Sequence, residues 1–142
     1  MQHINRSLVA VMITAGLMIT ACQKHSEAHH AEHPAEITKI EGSDLSRVTL
    51  TEKAVQRLDL QTVQVREQSG KKVVPYSSLI YDPNGQTWVY TSPETRTFLR
   101  YKVDVDKIEG DIAILNDGPP VGTIVASVAV AELYGAEFKV GH

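Results

Sequence analysis

The chain has 142 residues, with 14 Lys and Arg against 17 Asp and Glu, a formal net charge of −3. Nucleic acid is held mainly by clustered Lys and Arg, so this balance argues against a nucleic-acid partner and against a polybasic membrane patch. Cys22 is the single cysteine, which excludes a disulfide within the chain.

Residues 8–21 (LVAVMITAGLMITA) carry no charge and follow a start whose one charged residue is Arg6. A membrane-spanning helix needs about 20 apolar residues, so this run is too short for a permanent span. A basic start, a short apolar core and small residues before a cut describe an export signal over 1–21. The run ends in Ile19-Thr20-Ala21-Cys22. That string resembles the lipobox of bacterial lipoproteins: aliphatic, then small or hydroxylated, then Ala or Gly, then Cys. The resemblance implies cleavage before Cys22, acylation of Cys22, and a place in the envelope of a Gram-negative bacterium, anchored to the membrane and facing the periplasm. Each buried CH₂ of an acyl chain is worth roughly 0.8 kcal/mol, so several chains make a firm anchor. Gln23, just after the cysteine, leans towards outer-membrane delivery by resemblance to lipoprotein sorting rules, with the inner membrane as the alternative.

Residues 22–46 are expected to be a lipid-anchored, His-rich flexible tail. The stretch QKHSEAHHAEHPAE (23–36) is polar and contains no large apolar side chain. His25, His29 and His33 are four apart and would share one face of a helix. With His30 they form a candidate set for Zn²⁺, Cu²⁺ or Ni²⁺. Pro34 would end such a helix and nothing apolar would order it. The expectation is therefore weak, fluxional binding of a divalent metal, with no resident cofactor.

Residues 47–142 are expected to fold as one mainly β domain, a small β-roll or barrel-like unit of about six strands with one short helix. RVTLT (47–51) reads as a strand, and Thr51 as the N-cap of a helix through TEKAVQRL. LQTVQVRE (60–67) alternates through Val63 and Val65, the pattern of a half-buried strand. Asp82-Pro83-Asn84-Gly85 predicts a hairpin turn with Gly85 left-handed, pairing Ile80 with Trp88, Tyr81 with Thr87 and Leu79 with Val89. TFLRYKVDVD (97–106), IAIL (112–115) and TIVASVAV (123–130) read as further strands. AELYGAE (131–137) reads as a short helical end or an irregular tail.

The order of these elements resembles the periplasmic adaptor, or membrane-fusion, proteins of resistance-nodulation-division efflux pumps, the heavy-metal type above all. VTLTEKAVQRLDLQTVQV (48–65) is similar to the family's opening segment. Leu60, Thr62 and Val65 match "I-x-T-x-x-V", while Asp59 stands where a Gly is usual. VVPYSSLIYDPNGQTWVYT (73–91) resembles the closing domain's "V-P-x-x-A-[VI]" and its hairpin. Val103 and Val105 fit "V-x-V", Gly110-Asp111 the following turn, and Gly118 and Gly122 the "G-L-x-x-G-D" turn. Pro119, Pro120 and Thr123 depart from that turn. Glu137 fits the last place of "x-x-L-L-x-x-E". In complete adaptors the two segments close one membrane-proximal domain, and a long helical hairpin lies between them. Here REQSGKK (66–72) stands in its place. The resemblance thus implies the membrane-proximal domain alone, with 48–65 pairing to strands from 73–130.

No enzyme is expected, because residues 48–141 contain no His, no Cys and no Gly-rich phosphate loop. Trp88, Tyr90, Tyr81 and Tyr76 suit hairpin packing better than a ligand cradle. Glu52, Lys53, Arg57 and Asp59 form a charged helix face, solvated by default and a docking surface otherwise. The resemblance implies a lipid-anchored adaptor-like protein that contacts an efflux permease or a full-length adaptor, with acyl chains on Cys22 meeting the membrane. The alternative is a metal-binding envelope lipoprotein whose working part is the His-rich tail.

Overall fold

The computed structural model describes residues 33–139. Its elements in chain order are β1 (Ala35–Lys39), β2 (Ser46–Leu50), α1 (Glu52–Leu58), β3 (Thr62–Gln64), β4 (Arg66–Gln68) and β5 (Lys71–Pro75). A 3-10 turn (Tyr76–Ser78) leads to β6 (Ile80–Tyr81), β7 (Thr87–Glu94), β8 (Thr97–Glu109), β9 (Ile112–Asp117), β10 (Ile124–Ala126) and α2 (Val130–Phe138). The domain is mainly β, as its alternating segments predict.

The main sheet runs β3-β10-β7-β8-β9-β5-β4, with every ladder antiparallel. Its two end strands are halves of one run, 62–68, interrupted at Val65. The Val65 N–H donates to Thr123 O and its carbonyl accepts from Gly122 N, both at 2.8 Å. One stretch of chain thus pairs with β10 through its first half and with β5 through its second, and the sheet curls into a nearly closed barrel. β2 pairs with the first half of β8, and β1 pairs with β2.

Strand alternation sorts the apolar residues into two clusters. Val65, Val74, Leu79, Val89, Val103, Ala113, Leu115 and Val125 form one, drawn from the barrel strands and the Leu79 turn. Val48, Leu50, Ala54, Tyr90, Phe98, Ala126, Val130 and Leu133 form the other, which joins β2 and the two helices to the outer face of the barrel. Val89 and Tyr90, or Val125 and Ala126, are chain neighbours that serve opposite clusters.

Local signals explain most boundaries. Thr51 caps α1 through its Oγ1, which accepts from Ala54 N at 3.2 Å. Asp59 ends α1 in the left-handed conformation, φ 47°. The hairpin forms with Ile80 opposite Trp88 and Tyr81 opposite Thr87. Asp82 Oδ1 accepts from Asn84 N and Gln86 N, and Gly85 adopts φ 75°. Both parts of the opening segment pair as the resemblance implies, β2 with β8 and β3 with β10.

Three expectations are corrected. The expected tail boundary at 46 is too late, because Ala35–Lys39 forms β1, whose Ala35 and Ile37 pack on the outer cluster. The sheet has ten strands where about six were expected: β1 and β5 lie in segments not read as strands, and the run 60–67 is broken at Val65. TIVASVAV is not one strand. Ser127 N and Val128 N both turn to Gln61 O, Ala129 takes φ 65°, and α2 begins at Val130. β-branched residues favour a strand there, but burial of Val130 and Leu133 on one helix face wins.

Candidate functional site

The residues singled out in the sequence fall into separate regions. Cys22, His25, His29 and His30 lie outside the described residues. His33 is the first described residue and is exposed. Among the described residues no group of three or more His, Cys, Asp or Glu is arranged to hold a metal, and no helix is long and apolar enough to cross a membrane. Of the four hairpin aromatics, Tyr90 is buried, Trp88 is half-buried, and Tyr76 and Tyr81 are exposed.

The charged face of α1 is present. Glu52, Lys53, Arg57 and Asp59 are all exposed. Gln56 Nε2 donates to Glu52 Oε1 at 3.3 Å, and Arg96 stands 4.0 Å from Glu52. Both contacts are solvent-screened and worth less than about 1 kcal/mol each. α1 is set between two open grooves. One, of about 950 Å³, is bordered by His33, Glu36, Thr51, Glu52 and Arg96. The other, of about 510 Å³, lies between α1 and α2 over Leu50, Ala54, Leu58, Ala131 and Ala136. The chain arrives here: Thr51 N donates to Pro34 O at 3.0 Å.

A second centre escaped the sequence reading. Glu137 on α2 and Arg100 on β8 form an ion pair at 2.8 Å, with side chains only 2% and 6% exposed. Glu137 Oε2 also accepts from Tyr90 OH at 2.6 Å, and its Oε1 accepts from Ser46 N at 3.3 Å. Burial, this hydrogen bond and the Glu137 charge all hold the Tyr90 phenol protonated well above the ordinary tyrosine range. The Arg100 guanidinium lies 4.5 Å from the Trp88 ring centroid and 4.8 Å from that of Phe138, a double cation–π contact. Trp88 Nε1 in turn donates to Asp82 Oδ2 at 3.1 Å. Partial desolvation raises the pKa of Asp82. The amide of Gln86, the indole of Trp88, the amide of Asn84 and the nearby Arg100 charge outweigh it and hold the carboxyl below the usual range. The signal in the sequence was parity: Arg100 shares the strand phase of buried Phe98 and sits opposite Tyr90.

No protein-family model and no curated protein matches this chain.

Proposed function

We propose that this chain is a lipid-anchored, adaptor-like periplasmic protein that assists or modulates an efflux system, for cations or heavy metals, through protein contacts. The observation that carries this reading is the hydrogen bond from Thr51 N to Pro34 O, which brings the incoming chain against the start of α1. With acyl chains on Cys22, residues 22–33 would span at most about 40 Å when extended. The exposed face of α1 would then stay within that distance of the bilayer, in reach of the periplasmic surface of a permease.

The resemblance to efflux adaptors gains support from backbone geometry. Asp59, where the family usually has Gly, is left-handed, as are Gly110 and Gly122. Gly118 leaves no room for a side chain. β4 and β5 are joined by Ser69 and Gly70, so no helical hairpin separates the opening and closing segments. Such a protein would work beside a full-length adaptor and would not replace one.

Site-specific photo-crosslinking in intact cells tests the proposal. Probes at Glu52, Lys53 or Arg57 are expected to capture a permease or an adaptor under metal induction. If those positions and the Asp82–Gly85 hairpin tip capture no pump subunit, the proposed function is wrong.

A further inference from the structure

The hairpin tip, β8 and the end of α2 enclose a cleft of about 530 Å³ bordered by Asp44, Asp82, Trp88, Arg100, Tyr134 and Phe138. Arg100 is 94% buried by its 6% exposure, yet only its Nε donates a hydrogen bond among the described residues. Ser78 Oγ is the sole fully buried, unpartnered side-chain polar atom among those residues. No described residue accepts a hydrogen bond from the Arg100 Nη nitrogens, and Arg100 borders this cleft. Their hydrogens are free to donate to an oxygen acceptor that enters the cleft.

Charge decides which acceptor fits. Glu137 already neutralises Arg100. Asp82, held ionised by its three donors, and exposed Asp44 leave the cleft acidic. A ligand carboxylate would face both carboxylates, whereas a main-chain carbonyl would not. A cationic side chain would be attracted to both and could lay its stem on the Tyr134 and Phe138 rings, which pack 4.6 Å apart.

We infer that this cleft takes an extended peptide segment of a partner protein, with a main-chain carbonyl on the Arg100 Nη hydrogens and a Lys or Arg side chain between Asp44 and Asp82. The inference rests on reading the chain as a docking module and names the chemistry of what it docks.

Trp88 is the only tryptophan in the chain and forms a wall of the cleft, so its fluorescence reports binding. The full-length chain in zwitterionic detergent micelles is titrated with blocked tripeptides Gly-Lys-Gly, Gly-Gly-Gly and Gly-Glu-Gly. The lysine peptide is expected to shift Trp88 emission with a Kd of about 1 mM, weakening with added salt. Gly-Glu-Gly, and Gly-Lys-Gly on Asp44→Asn, are expected to bind roughly tenfold more weakly. Asp44 is exposed and outside both apolar clusters, so that variant keeps the fold. Equal or tighter binding of the glutamate peptide, an unchanged Asp44→Asn titration, or no response to any peptide overturns the inference. Crosslinking to a pump subunit without peptide binding would remove the cleft and leave the proposed function standing. Peptide binding without such crosslinks would do the reverse.

Discussion

Replacing Glu137 by Gln keeps the size of the side chain and removes its charge. In the native fold one carboxylate takes three hydrogen bonds, from Tyr90, Arg100 and Ser46. Glutamine offers one oxygen and turns an NH₂ group towards the remaining donors. Arg100, at 6% exposure, then loses its counter-charge. Breaking a buried pair by removing one partner costs about 3–5 kcal/mol. The two aromatic faces that remain against the guanidinium put the expected loss at the lower end, about 3 kcal/mol. With m of about 1.5 kcal/mol/M, the urea midpoint should fall by about 2 M. Trp88 emission and far-UV circular dichroism should report the same transition. The triple variant Tyr90→Phe/Arg100→Met/Glu137→Leu leaves neither an uncompensated charge nor a buried hydroxyl without its acceptor and should recover most of the loss, to within about 1–2 kcal/mol of the native chain. If Glu137→Gln costs less than about 1 kcal/mol, the carboxylate is not the fastening described here.

Three further outcomes can be checked on the same chain. A Cβ at Gly118 would lie 2.8 Å from Leu115 Cδ1 and 3.3 Å from Val103 Cγ1, so Gly118→Ala should cost about 1–3 kcal/mol in denaturant unfolding. Asp59 is left-handed and exposed, so Asp59→Gly should stabilise the fold by up to about 1 kcal/mol, and a clear loss would show that its side chain has another task. The folded Asp82 carboxyl titrates below its unfolded value of about 3.9, so its contribution is present above that pH and is lost as pH falls through the lower folded value. Unfolding measured between about pH 6 and 2 should therefore decline more steeply in the native chain than in Asp82→Asn.

The parts legible in the sequence are those fixed by neighbours along the chain. Thr51 as a cap, Gly85 as the left-handed turn residue and the Ile80–Trp88 register all depend on a few adjacent residues. The pairing of 48–65 with later strands is non-local, and it was reached only through the adaptor resemblance. β1 was hidden because the polar composition of 23–36 hid the Ile37 and Ile40 that follow it. α2 was hidden by the β-branched residues of TIVASVAV, whose local preference is overridden by tertiary burial. The Arg100–Glu137–Tyr90 centre joins residues 37 and 47 positions apart, and no spacing rule connects them. Arg100 shares its strand phase with Phe98 and also with Lys102 and Asp104, so its parity signal is ambiguous and the charge reads first as solvent-facing. Only the return of α2 across β7 and β8 turns it into a buried cation.

That return also explains why the outer layer holds to the barrel. Among the described residues β2 pairs with the main sheet along the first half of β8, and β1 pairs with β2. A load on the chain before His33 would pass from Pro34 into β1 and α1, then through β2 to β8. Glu137 lies across this route: its Oε1 holds Ser46, the first residue of β2, while its Oε2 holds Tyr90 and Arg100 on β7 and β8. One carboxylate on α2 thus fastens three strands, and the Arg100 it neutralises carries the aromatic wall of the cleft. Loss of Glu137 should therefore loosen the layer that joins the tail to the barrel and disturb the proposed peptide cleft together. The Gly118 substitution strains the barrel loop and should leave Arg100 paired.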